Sequence, residues 1–138
     1  MTPKQVRLVQ HSWASVAPIQ AQAAALFYDR LFMVDPTLRS LFKGDMEEQR
    51  NKLTVMLGIA VNGLTRLDAL VPIVRNLGSR HARYGVRDKD YVTVGAALLW
   101  TLEKGLGPAF TPEVKDAWTA AYGLLTATMQ QGAAAAAA

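Results

Sequence analysis

The chain of 138 residues has the length of one ordinary domain, and its 15 Lys and Arg against 11 Asp and Glu leave a mild net charge of +4. Hydrophobic residues make up 51% and charged residues 19%, which excludes a disordered chain. Cysteine is absent, which removes disulfides, thiolate metal sites, iron–sulfur clusters and cysteine nucleophiles, and His11 and His81 are the only imidazoles.

In chain order the sequence predicts helices. Thr2-Pro3-Lys4-Gln5 has a capping-box layout with proline at the first helical position, and Val6, Val9, Trp13 and Val16 follow at helical steps. A second helix is predicted from about Pro18 to Val34, carrying Leu26, Phe27, Leu31 and Phe32. Asp35-Pro36 restarts the chain into a short helical piece, and Lys43-Gly44-Asp45 forms a loop. A longer helix from about Met46 to Leu64 sets Leu53, Met56, Leu57 and Ala60 on one face. Another runs from about Asp68 to Tyr84 and is closed by Gly85. Asp88 or Asp90 caps a helix that Gly107-Pro108 breaks, and Thr111-Pro112-Glu113 opens the last one, with Val114, Trp118, Leu125 and Met129. Gly132 and the alanines from 133 to 138 are low-complexity sequence and are set aside, leaving residues 1–131 as the domain. No segment alternates like a strand, so the fold class is all-α with about seven helices.

Met1 to Arg7 carries charges where a signal peptide needs an apolar stretch, and no apolar run approaches the roughly 18 residues that cross a bilayer. The cations are not gathered into one tract, so nucleic acid is not favoured. A cytoplasmic protein with no membrane insertion is expected.

Little in the sequence suggests a nucleophile or an acid–base pair. There is no G-x-S-x-G, no S-x-x-K and no glycine-rich phosphate loop. Glu47-Glu48 is a carboxylate pair, but adjacent residues do not share a helix face. Arg75, Arg80, Arg83, Arg87 and Lys89 surround His81; they read either as a solvated face or as cations waiting for a carboxylate. His81 itself reads either as a structural histidine or as a ligand. One imidazole cannot hold zinc, which wants about four ligands. It can hold haem iron, because the porphyrin supplies four nitrogens and the protein adds one axial ligand.

Taken in order, the pieces resemble the globin family, in particular bacterial single-domain globins and the haem domain of flavohaemoglobins, with neuroglobins a more distant likeness. The resemblance rests on Phe27-Tyr28-Asp29-Arg30-Leu31-Phe32, on Asp35-Pro36 with Leu41-Phe42, on Gln49-Arg50-Asn51-Lys52-Leu53, on Leu77-Gly78 with His81 and Tyr84-Gly85-Val86, and on Gly107 to Pro112 with Ala117-Trp118 and Tyr122-Gly123. It covers about residues 5 to 130 and implies a globin fold around haem b, iron protoporphyrin IX. By that resemblance His81 is the iron ligand, with its Nδ1–H on the Leu77 carbonyl, and Phe42 wedges against the porphyrin. Leu53, Leu57 (or Met56), Val86 and Leu98 supply apolar walls; Lys52, Arg80 and Arg83 answer the propionates; Tyr84 lies in the proximal segment; and Tyr91 stands beside the proximal histidine. Tyr28 and Gln49 take the positions that face a bound gas. His11 is read as structural.

Two departures from the flavohaemoglobin pattern stand out. The chain ends before a flavin reductase could begin, and no acidic residue follows Asp116 to complete the tyrosine–glutamate pair behind the proximal histidine. The resemblance therefore implies reversible binding of O₂, and of CO and NO, at ferrous iron. The alternative is a nitric oxide dioxygenase fed by an external reductase, and a remoter one is a gas or redox sensing module. A monomer or weak homodimer is expected.

Overall fold

The computed structural model describes residues 1–137, and six α-helices and three short 3₁₀ segments account for nearly all of them. The helices are α1 (Pro3–Val16), α2 (Gln20–Val34), α3 (Met46–Gly63), α4 (Leu67–Arg83), α5 (Asp88–Leu106) and α6 (Pro112–Ala137). The expected short piece after Asp35-Pro36 is a 3₁₀ segment, Pro36–Leu41, and two further 3₁₀ turns cover Ala17–Ile19 and Gly107–Ala109.

Local chemistry explains the boundaries. Thr2 and Gln5 form the capping box in both directions, each side chain accepting from the other's backbone N–H at 3.0–3.1 Å. Asp35 precedes proline and is extended, which ends α2, and its carboxylate then caps the 3₁₀ segment through the Thr37 N–H. Asp45 caps α3 through the Glu47 N–H, with Glu47 and Glu48 at the positive end of the helix dipole. Gly85, at φ 93°, takes the left-handed turn that stops α4, and Gly107, at φ 56°, does the same for α5. The cap of α5 differs from expectation: Arg87 is the N-cap and its backbone N–H donates to buried Asp90 at 2.9 Å, while Asp88 is the first helical residue.

Packing follows from one buried stripe on each helix. Val9 and Val16 of α1 meet Ala117, Trp118 and Ala121 of α6, and Phe27, Tyr28 and Leu31 of α2 meet Ala97, Leu98 and Leu102 of α5. The Trp118 indole N–H donates to the Ser12 hydroxyl at 2.8 Å, joining residues 106 positions apart in the core. At the edge of the α2–α5 contact, the Arg30 guanidinium lies 4.9 Å and the Lys104 ammonium 5.6 Å from the Trp100 ring centre. The last helix does not stop at Gln131; it runs on through Gly132, which is buried, into the alanines.

Candidate haem site

Tyr28 is buried on α2, and its hydroxyl accepts a hydrogen bond from the Gln49 side-chain amide on α3 at 3.3 Å. Accepting leaves the phenol proton free to donate elsewhere. Burial pushes the phenol above its ordinary pKa of 10.0, and the bond from Gln49 pulls it partly back. Phe42, just past the 3₁₀ segment, stands edge-on to the Tyr28 ring at 5.4 Å and to the Phe32 ring at 5.5 Å, while Phe27 packs edge-on against Tyr28 at 5.0 Å. The result is an aromatic wall with one hydroxyl and one amide set into it.

His81 is half-buried in the last turn of α4. Its Nδ1 lies 2.8 Å from the Leu77 carbonyl, one turn back. A carbonyl can only accept, so Nδ1 carries the proton and Nε2 is left as a lone pair. Burial lowers the imidazole pKa below the ordinary 6.5 and Arg80 adds to this, while the bond to Leu77 opposes it. The neutral, metal-binding form is therefore favoured at neutral pH. The turn after α4 brings this segment to the aromatic wall: a side chain added at Gly85 would touch Leu41, the residue before Phe42.

The remaining residues expected at the site divide into two groups. Leu53, Leu57 and Leu98 line a mostly apolar cavity of about 20 Å³, together with Phe27 and with Trp13 from α1, and His81, Tyr28, Gln49 and Phe42 do not line it. Val86 is half-buried, and its N–H donates to the His81 carbonyl at 3.1 Å. Lys52, Arg80 and Arg83 are exposed, and none of them has a carboxylate within 4.0 Å; among the described residues the ion pairs are Lys4–Glu113 and Arg87–Asp90. Tyr84, the residue that closes α4, is 67% exposed. Tyr91 is buried on α5, where its ring lines a groove shared with Tyr122 of α6 and its carbonyl accepts from the Tyr122 hydroxyl at 2.5 Å. His11 is exposed on α1.

The donor set decides what the site can hold. Among the described residues no group of three His, Asp or Glu side chains could bind a bare metal ion. A single imidazole with a free Nε2, on a helix whose closing turn at Gly85 lies against Leu41, suits a metal that arrives with its own equatorial ligands, and haem is such a group. Sequence reading missed several contacts that hold the surrounding helices together. Trp13 and Thr54 line the cavity, buried Asp90 fixes the turn into α5, and the Ser12–Trp118 bond has no local pattern that announces it.

The chain is similar to known proteins in both sequence and fold. The Globin family model matches residues 25–129. Neuroglobin of Danio rerio is 30% identical over 146 residues, an alignment covering 96% of this chain and 92% of that protein, and neuroglobin of Chaenocephalus aceratus is 29% identical over the same shares. Among solved structures, a hexacoordinated haem protein from an anhydrobiotic tardigrade superposes with a TM-score of 0.86 at 18% identity, over 96% of this chain and 95% of that one. An engineered carbene transferase from Rhodothermus marinus, provisionally described as a nitric oxide dioxygenase, superposes with a TM-score of 0.88 at 28% identity, over 97% and 94%. Family and fold together support a haem cofactor and the binding of diatomic gas, and among the described residues no helix is long and apolar enough to cross a membrane. The chain belongs to the globin family.

Proposed function

We propose that this chain is a haem b globin that binds O₂ reversibly, with His81 as the axial ligand and Tyr28 and Gln49 as the groups that retain the gas. The observation that carries this reading is the presence in one globin fold of an imidazole whose Nδ1 is committed to the Leu77 carbonyl and of a hydrogen-bonded pair, buried Tyr28 and half-buried Gln49, packed against Phe42. When bound, haem supplies ferrous iron with one open position for a diatomic ligand.

The chain's own residues do the rest. Leu77 fixes the tautomer and orientation of His81, which presents Nε2. Phe42, Leu53, Leu57 and Leu98 exclude water, which would compete for the open position and speed oxidation. The Tyr28 hydroxyl and the Gln49 amide are the donors that would hold a polarised diatomic ligand once haem is bound. A neutral hydrogen bond contributes about 0.5–1.5 kcal/mol and one to a charged acceptor about 1.5–3, so two donors slow release by roughly one to two orders of magnitude. Lys52, Arg80 and Arg83, exposed and unpaired with any carboxylate among the described residues, are cations available to the propionates. Glutamine is a poor iron ligand, so Gln49 would leave a bound haem free to take a diatomic ligand.

A second reading has one observation in its favour, the provisional description of the R. marinus neighbour. A nitric oxide dioxygenase joins NO and O₂ and takes up one electron to give nitrate, so an external one-electron donor must restore the ferrous iron after each turnover. Tyr28 and Gln49 would hold the O₂ for it. Absorption spectra of the purified protein in ferric, ferrous and O₂-exposed states test the first reading; no Soret band in protein made with adequate iron and haem would overturn it. NO consumption separates the two. A single stoichiometric burst supports O₂ binding alone, whereas sustained turnover with a reductase present supports the dioxygenase.

A further inference from the structure

Helix α4 makes few contacts with α3 and packs chiefly along α6. The two helices lie unusually close at one place. A Cβ built on Gly78 of α4 would stand 1.9 Å from the Met129 carbonyl oxygen of α6, and one built on Gly132 of α6 would stand 1.9 Å from the Arg75 carbonyl oxygen of α4. Both distances are about 1.5 Å short of ordinary contact at 3.4 Å, and the obstructing atoms are backbone, which cannot rotate away. Neither glycine has a positive φ, so proximity and not conformation requires it.

The arrangement is reciprocal. Each glycine rests on the carbonyl three residues before the other helix's glycine: Gly78 on Met129, which precedes Gly132, and Gly132 on Arg75, which precedes Gly78. Such a crossing sets Cα–H groups against carbonyl oxygens from both sides, a contact available only where no side chain intervenes. Gly123, two and a half turns earlier on α6, has nothing within 4 Å of where its Cβ would be.

The joint sits beside the imidazole. Gly78 follows Leu77, whose carbonyl holds His81 Nδ1, and precedes His81 by three residues. Helix α6 is itself tied down, to α1 through Trp118 and Ser12 and to α5 through Tyr122 and the Tyr91 carbonyl. Position is thus passed from α1 and α5 to α6, and from α6 through two glycines to the turn that carries His81. We infer that Gly78 and Gly132 are positioning residues for His81: their backbone-to-backbone joint sets how close the His81-bearing end of α4 lies to α6 and at what angle the imidazole is presented. Gly132 lies beyond the stretch matched by the family model, in a segment whose composition gives no hint of such a role. Only the consequence for gas binding rests on His81 being the axial ligand; the joint itself does not.

The test uses Gly78→Ala and Gly132→Ala in the full chain, with Gly123→Ala as a control that adds the same methyl group to the same helix in open space. In haem-free protein, NMR should show the His81 Nδ1–H resonance shifted in both joint variants, with amide exchange over Leu77–Arg83 faster by roughly tenfold or more and α5 unchanged. In haem-loaded protein the Fe–Nε2 stretching band should move in the joint variants and stay in place in the control. Should either alanine variant fail to fold, removal of residues 132–138 breaks the Gly132 contact without adding an atom, and the same exchange increase in α4 is expected. Wild-type imidazole and exchange signals in all joint variants would overturn the inference, as would an equal change in Gly123→Ala. If the haem-free signals move but even the wild type takes up no haem, the joint stands and the axial reading of His81 falls.

Discussion

The Gln49 amide donates to the Tyr28 hydroxyl at 3.3 Å, which ties α3 to α2 and fixes the direction in which the phenol can donate. Its own oxygen being occupied, Tyr28 has its proton to give to a third group. The two donors are therefore coupled, and removing one alters the other.

Substituting Tyr28→Phe keeps the ring packing and removes the hydroxyl, both as a donor and as the acceptor of the Gln49 amide. O₂ dissociation should quicken by about 3- to 10-fold, the equivalent of one neutral hydrogen bond of about 0.5–1.5 kcal/mol. Flash photolysis or stopped-flow measurement reads it directly, and an unchanged off-rate would remove Tyr28 from the gas-retaining role.

Gln49→Leu should raise the Tyr28 phenol pKa further, because the bond that opposes the burial shift is lost. Ultraviolet difference titration of the phenolate in haem-free protein, compared with Tyr28→Phe to isolate this tyrosine, gives the direction. A downward shift would show that the Gln49 amide does not act on the hydroxyl.

His81 makes the haem-free protein acid-sensitive. Its folded pKa lies below the unfolded 6.5, so as pH falls the unfolded chain takes up the proton first and is favoured. The stability it contributes is present above pH 6.5 and is lost as pH falls below that value. Urea unfolding of the wild type between pH 7.5 and pH 5.5, set against His81→Gln, should show a steeper decline in the wild type. The same substitution should abolish normal haem retention, judged by the Soret band.

Tyr122 acts at the opposite end of the scale. Burial pushes its phenol up to about 12, and its hydroxyl donates to the Tyr91 carbonyl. The unfolded chain loses this proton near pH 10 while the folded one keeps it, so stability falls between pH 10 and pH 12, by an amount on the order of 2 kcal/mol. Tyr122→Phe should be less stable at pH 7 and should decline less over that alkaline interval.

Ser12→Ala leaves the buried Trp118 N–H without its acceptor. The expected cost is about 1–3 kcal/mol, measurable by chemical unfolding, and Trp118→Phe in the same background should recover part of it because the orphaned donor is then gone.

The residues legible in the sequence share a physical reason. The helix ends at Thr2, Asp35, Asp45, Gly85 and Gly107 follow from local hydrogen bonding and backbone preference, which neighbours in sequence suffice to determine. The bond from His81 to Leu77 is likewise local, one helical turn in length. Tyr28 and Gln49 are 21 residues apart, and their pairing was readable only through likeness to a family. What escaped depended on helix-to-helix distance, which no periodicity encodes. Gly132 looked like the start of an uninformative tail, yet it packs against α4; Tyr84 looked like part of the proximal segment, yet it points to solvent. Asp90 looked like a surface cap and is 2% exposed, held by the backbone and guanidinium of Arg87.

The Ser12–Trp118 bond has a consequence for how the chain comes into being. At a synthesis rate of about 5–20 residues per second, the 106 positions between them take roughly 5 to 20 s to emerge. Throughout that interval Val9 and Val16, nearly inaccessible in the finished protein, have no permanent cover. The nascent chain therefore carries a sticky leading edge, and the segment that conceals it is among the last to be made.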